Sequence, residues 1–227
     1  MVDTLTVRNV RWFSDGIFEI EMGRDGLMFT PGDCVALFAS DGTTSRPYSI
    51  ASGTEQDSVR FIIRRMDEGA VSTYLSERSP GDVVKVSPPF GWFRPGPKDD
   101  GAPFVFVATG TGISPFLAYF RSQDEHPPVQ CLYGVRQLAD AAEADWLQSQ
   151  CDVRISVSRE KANGHHFGRV TDLLYGLPVE KGTHYYLCGL DAMIDDVTNW
   201  LESRDVPITC IHRECFFNSS YSASAPV

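Results

Sequence analysis

What most constrains this chain is a change of rhythm near residue 98. Before it, short runs alternate apolar and polar side chains, as in Ile17-Phe18-Glu19-Ile20-Glu21. The turn Pro31-Gly32-Asp33 precedes the apolar run 34–38, and Pro80-Gly81-Asp82 precedes 83–86. Further strand candidates are Leu5-Thr6-Val7-Arg8 and 59–64, with one helical patch over 70–77. Strands at this spacing, separated by Pro-Gly turns, predict an antiparallel barrel or sandwich. Segment 93–101 is polar and rich in turn residues, so it reads as a linker. After it, apolar runs begin at 104, 129, 153, 184 and 208, and helical patterns cover 140–150 and 191–203. Strand alternating with helix predicts a parallel sheet, with Asp191 as the cap of the last helix.

A chain of 227 residues has room for two such units, expected at 1–98 and 99–227 with a Ser/Ala-rich tail at 218–227. The formal net charge is −10, divided as −2 over residues 1–98 and −8 over 99–227. That balance argues against nucleic acid as a partner, because phosphate binding needs a basic face. No apolar run approaches the roughly 20 residues of a membrane span. Met1-Val2-Asp3-Thr4 carries no signal-peptide pattern, and the expected compartment is the cytoplasm. The six cysteines are scattered without a C-x-x-C pair. They read as reduced thiols rather than as a metal or disulfide framework. His165-His166 reads as part of a loop, and no metal is expected.

Three segments carry chemical signals. In Arg46-Pro47-Tyr48-Ser49 a guanidinium fork, an aromatic face and a small hydroxyl lie close together. Gly69-Ala70-Val71-Ser72 places glycine and a hydroxyl residue at a helix start, where backbone N–H groups meet anions. Thr109-Gly110-Thr111-Gly112-Ile113-Ser114-Pro115 joins an apolar strand to a helix that Pro115 is suited to open. Glycines there allow a dinucleotide to approach the backbone, although the pattern is not G-x-G-x-x-G. Taken singly, each segment also reads as an ordinary strand, cap or loop.

Together and in this order they resemble the ferredoxin–NADP reductase superfamily over nearly the whole chain. Arg46-Pro47-Tyr48-Ser49 is similar to its flavin motif R-x-Y-S, and 69–75 to its pyrophosphate motif. Pro89-Phe90-Gly91 resembles the element closing the flavin domain, and 110–115 the nicotinamide-domain loop. Cys188-Gly189-Leu190-Asp191-Ala192-Met193 resembles the motif C-G-x-x-x-M. The resemblance implies two domains: an antiparallel β-barrel that binds FAD, then an α/β parallel-sheet domain that binds NADP(H).

It also implies site residues. Arg46 would neutralise flavin phosphate, with Arg64 as a second contact, and Pro47 belongs to the same motif. Tyr48 would pack on the flavin ring, and Ser49 would bond near the hydride-accepting N5 atom. The turn Gly69-Ala70-Val71-Ser72 would hold the pyrophosphate. Thr109, Gly110, Thr111, Gly112, Arg136, Cys188, Gly189 and Met193 would surround the pyridine nucleotide. Ser158-Arg159, with Arg169 as a further candidate, would meet the 2′-phosphate and select NADPH; adjacent Glu160 would favour NADH instead. Glu214 and Cys188 would flank the nicotinamide, and Phe216 would stack on the flavin. Ten residues follow Phe217, and Tyr221 in that tail would lie against adenine.

The implied activity is FAD-dependent electron exchange between NADP(H) and a ferredoxin or flavodoxin. The alternatives are the reductase subunit of a multicomponent oxygenase or other complex, and an NAD(P)H:flavin reductase. Docking of an acidic carrier would use Arg60, Arg64, Arg65, Arg94 and Lys98.

Overall fold

A computed structural model of the chain describes residues 3–94, 101–122, 130–177 and 179–217, excluding the side chains of Phe216 and Phe217. The first half contains β1 (Thr4–Ser14), β2 (Ile17–Gly23), β3 (Cys34–Phe38), β4 (Ser45–Ser49), β5 (Ser58–Arg64), α1 (Ala70–Ser76) and β6 (Val83–Lys85). The antiparallel sheet has the order β5-β2-β1-β6, and β3 pairs with β4. Two bridges, Leu37 to Val86 and Cys34 to Phe90, dock β3 beside the segment leaving β6. The Ala51 N–H donates to the Arg60 carbonyl at 2.8 Å and joins the chain after β4 to β5. The expected antiparallel barrel is thereby formed around Phe18, Ile20, Phe61 and Leu75.

The second half contains β7 (Phe104–Thr109), α2 (Ser114–Ser122), β8 (Gln130–Val135), α3 (Ala144–Gln150), β9 (Val153–Val157), β10 (His166–Phe167), β11 (His184–Leu190), α4 (Asp191–Glu202) and β12 (Ile211–Phe217). They build a six-stranded parallel sheet, ordered β10-β9-β8-β7-β11-β12. Its central strands β7 and β8 are buried almost throughout and mostly apolar, as burial on both faces demands. One face packs on α4 through Ile194, Val197 and Leu201. The other packs on α2, and its core includes Ile17, Ala51 and Ile62 from the barrel. The two halves therefore share apolar core. Among the described residues, no helix is long and apolar enough to cross a membrane.

Several local expectations are corrected. Helix 140–150 shortens to α3, preceded by a 3-10 turn at Leu138–Asp140. The Asp140 carboxylate accepts from Ser14 Oγ at 2.6 Å, and Glu143 adopts a left-handed φ of 59°. These commitments to the barrel break the helix before Ala144. The strand expected at 208–212 begins later, because Ile208–Cys210 forms a 3-10 turn after Pro207. Asp191 is the first residue of α4 and Leu190 occupies the cap position. The Leu190 N–H instead meets Thr109 Oγ1 at 2.9 Å. Tail 218–227, including Tyr221, lies outside the described residues, as do Lys98 and the Phe216 ring.

Candidate active site between the barrel and the parallel sheet

A cavity of about 480 Å³ opens where β4, β5 and α1 face the start of α2. Arg46, Pro47, Tyr48 and Ser49 form one wall, because β4 carries them together along its edge. Arg64 and the turn Gly69-Ala70-Val71-Ser72 form another, and Thr111 and Ser114 reach in from the second half. Burial pushes the Tyr48 phenol up to about 12, against the opposing pull of Arg46, so it is a neutral aromatic wall with a hydroxyl. Arg46 is exposed at the rim. The Ser72 hydroxyl accepts the Met66 N–H at 3.1 Å and donates to the Gly69 carbonyl at 3.3 Å. It therefore shapes the turn that lines the cavity. A Cβ on Gly69 would lie 2.6 Å from Ser72 Oγ and 2.8 Å from Met66 Cβ, so a larger residue there would displace this tight turn. Arg64 Nη2 lies 3.6 Å from Asp140 Oδ2 and links the cavity to the second half.

At the inner end, Ser49 is buried and pairs across the β3–β4 hairpin with Cys34. Cys34 Sγ lies 3.2 Å from Ser49 Oγ and also donates to Glu214 Oε1 at 3.2 Å. Glu214 stands opposite Cys188 in the β12–β11 pairing. Four strands from two sheets thus bring Ser49, Cys34, Cys188 and Glu214 together. Burial raises the Glu214 pKa, and the Cys34 hydrogen bond works in the opposite direction. Burial, followed by the nearby Glu214 charge, pushes the Cys34 thiol up to about 12. The same two causes push Cys188 up strongly, so both thiols are neutral and neither is an activated nucleophile. Cys34 is the member of this group that sequence reasoning missed. Its place opposite Ser49 would have pointed to it, had the hairpin register been known.

Segment 109–112 and the end of β11, 188–190, interlock beside this group. A Cβ on Gly112 would run into the Cys188 carbonyl, and one on Gly189 into Thr109 Oγ1. Gly110 has φ of +54° and starts a 3-10 turn that continues into α2, with Pro115 as its second residue. Met193 is a buried residue of the first turn of α4. Beyond the ends of β8 and β9, Arg136 and Arg159 are exposed neighbours whose backbones bond at 2.9 Å. Burial, then the charges of Arg64 and Arg159, lowers the Arg136 pKa, which marks a concentration of positive charge. The Ser158 hydroxyl donates to the Val135 carbonyl at 3.2 Å. Glu160 accepts the Leu138 N–H at 2.7 Å and is turned toward that loop. Arg169 is exposed at the start of the 3-10 helix Val170–Gly176, where its N–H meets Asp172 Oδ2 at 2.9 Å.

The expected docking cations separate in the structure. Arg94 is clipped to Asp33 at 2.6 Å and to the Gly91 carbonyl at 2.9 Å. Arg60 is 3.6 Å from Glu21, while Arg65 is exposed.

A cavity of this volume falls in the range of cofactor sites. Its aromatic wall, rim guanidinium, helix-start backbone and inner hydroxyl fit a flavin nucleotide. The exposed arginines beyond the parallel strands fit a second, anionic nucleotide.

Comparison with known proteins agrees. The family profile described as "Oxidoreductase FAD-binding domain" matches residues 4–94, and "Oxidoreductase NAD-binding domain" matches 106–199. The chain is 30% identical to the anthranilate 1,2-dioxygenase electron transfer component of Acinetobacter baylyi, over 86% of this chain and 60% of that one. It is 28% identical to a flavodoxin/ferredoxin–NADP reductase of Shigella flexneri, over 86% of this chain and 89% of that one. Among solved structures, a ferredoxin–NADP+ reductase from Neisseria gonorrhoeae with bound FAD and NADP superposes with a TM-score of 0.85. There the identity is 18%, with 94% of this chain and 98% of that chain covered.

Proposed function

The chain belongs to the ferredoxin–NADP reductase superfamily of FAD- and NAD(P)-binding oxidoreductases, and from that premise we propose that it moves electrons between NADPH and a ferredoxin or flavodoxin. The observation that carries this reading is the run Ser49–Cys34–Glu214, with Cys188 opposite Glu214, that backs onto a cavity shaped for a flavin and lined by Ser49. Bound FAD supplies hydride acceptance and one-electron release; the protein supplies position and electrostatics. Arg46 and the 69–72 backbone hold the phosphates, and Tyr48 packs on the ring. Ser49 meets the reacting edge. Cys188, neutral and polarizable, lines the place for nicotinamide, and Glu214 borders it.

Arg159 with Arg136 supports NADPH over NADH, because a 2′-phosphate gains charge-assisted hydrogen bonds there. The hydroxyl of Ser158 turns from Val135 to that phosphate, and Arg169 adds charge from the neighbouring loop. The barrel half, with its smaller negative charge and exposed Arg65, offers an acidic carrier the less repulsive face. We place the units at 1–98 and 99–227 and the protein in the cytoplasm.

A second reading rests on the 30% identity to a dioxygenase electron transfer component. Under it the acceptor is the oxygenase partner of a multicomponent system. The chain spans 60% of that relative's length, so its whole activity is not carried over.

The test is an anaerobic visible spectrum of the purified protein before and after addition of NADPH, then NADH. A yellow protein bleached much faster by NADPH supports the proposal. A colourless protein overturns the flavin site, and equal bleaching by NADH overturns the NADPH assignment. Reoxidation by ferredoxin or flavodoxin then separates the carrier reading from the oxygenase one.

A further inference from the structure

The hydrogens in the run Ser49–Cys34–Glu214 can be counted. Cys34 has one S–H, and its sulfur lies 3.2 Å from both Ser49 Oγ and Glu214 Oε1. An ionised carboxylate only accepts. With Glu214 ionised, the S–H goes to Glu214 and the Ser49 O–H must donate to the sulfur. Ser49 then turns its hydrogen inward and shows lone pairs to the cavity. With Glu214 protonated, the run can reverse. The carboxyl donates to Cys34, the S–H donates to Ser49, and the Ser49 hydrogen faces the cavity. Glu214 Oε2 is buried and meets no hydrogen-bond partner among the described residues, so the Cys34 contact is the one that fixes this carboxyl.

We propose that Cys34 is a positioning residue that couples the proton on Glu214 to the direction of the Ser49 hydroxyl, making Ser49 an acceptor toward the cavity in one state and a donor in the other. The proposal rests on the reading that the reacting edge of FAD lies at Ser49. A ring nitrogen there accepts a hydrogen bond when oxidised and carries a hydrogen when reduced. A partner of fixed polarity suits only one of those states, and a reversible one suits both.

The surroundings favour such a device. Cys34 and Ser49 are almost fully buried, so water does not compete for the two contacts. Cys188, across from Glu214, is a buried neutral thiol. Asp33, beside Cys34 on the chain, is neutralised by Arg94 at 2.6 Å. Arg213 and Cys215 flank Glu214 along β12, and both are exposed. Among the described residues, Cys34 is the group that joins the two ends.

The test uses the full chain loaded with FAD. The infrared S–H band of Cys34 is isolated by subtracting the spectrum of the Cys34→Ser variant. The expected band lies at a hydrogen-bonded position and shifts as pH carries Glu214 through its titration. In Glu214→Gln it no longer responds to pH. A band at the free-thiol position, or one that Glu214→Gln leaves responding as in the parent, overturns the proposal. The second measurement is the flavin midpoint potential against pH. Its change of slope should move to higher pH in Cys34→Ala, which removes a donor to the ionised carboxylate. Cys34→Ser should restore it, because a hydroxyl also gives one hydrogen and accepts another. An unchanged slope in Cys34→Ala overturns the proposal. A chain that retains no FAD overturns the flavin reading instead, and the infrared band still decides the hydrogen-bonded run.

Discussion

Arg121 Nη2 lies 3.2 Å from Glu143 Oε2, while Arg11 Nη2 meets the other oxygen of the same carboxylate. Arg11 belongs to β1 of the barrel and Arg121 to α2 of the parallel-sheet half. One carboxylate therefore ties the two halves, and Arg121 adds a 2.7 Å bond to the Ala51 carbonyl. Arg121 is 9% exposed, so it cannot turn to solvent if its partner is lost. Glu143→Ala should cost about 3 kcal/mol of stability, because it leaves a buried guanidinium uncompensated. Urea denaturation measures this directly. Arg8→Ala is the control, since its partner Asp57 is 88% exposed and such surface pairs contribute about 0–1 kcal/mol. Equal effects of the two variants would show that the link is not structural.

Glu214 gives a pH dependence whose sign can be worked out. Burial raises its pKa in the folded protein. The folded state then holds a proton that the unfolded chain has already released. Stability is greatest below the ordinary carboxylate pKa and falls as pH rises through the raised one. Glu19 adds to the same trend, because burial raises it as well, against the pull of Arg11 and Arg60. Glu214→Gln should therefore flatten the decline that sets in above the ordinary carboxylate pKa of about 4.3, without abolishing it. Denaturant midpoints collected through that decline test this, and an identical slope in the variant would refute it.

Much of this arrangement is legible in the sequence, because it depends on local pattern. Apolar runs separated by turn residues show the barrel strands, and alternating strand and helix show the parallel sheet. What was not legible depends on partners distant in the chain. Cys34 meets residues 15 and 180 positions away, and no local pattern marks it. Glu19 sits at a polar position of an alternating strand, yet it is 4% exposed, and Glu143 and Arg121 of the second half act on it electrostatically. Arg94 looks like a free cation until the 91–94 segment folds back on Asp33. Residues 140–143 carry a helical pattern that contacts with Ser14, Arg11 and Arg64 override.

Arg159→Ala should weaken NADPH and leave NADH nearly unchanged. Arg159 is exposed and makes no side-chain ion pair among the described residues, so its removal leaves no buried group unpaired. The loss of one charge-assisted contact, about 1.5–3 kcal/mol, corresponds to a roughly ten- to hundredfold rise in the NADPH KM. Steady-state kinetics with both nucleotides checks it. An equal loss with NADH would move the 2′-phosphate contact to Arg136 or Arg169.

Gly112→Ala tests the interlocked segments. A methyl group at Gly112 would meet the Cys188 carbonyl, which is backbone and cannot swing aside as a side chain would. The segments must separate, which moves Cys188 and Gly189 away from the place proposed for nicotinamide. A displacement of about 1 Å at a reacting centre costs on the order of a hundredfold in rate. Flavin reduction by NADPH, followed by stopped flow, should slow by that amount. Arg46, Tyr48 and the 69–72 turn are carried by other elements, so the variant should still purify yellow. A variant that is yellow and reduces at the parent's rate would show that the close approach of 112 to 188 does not set the nicotinamide position.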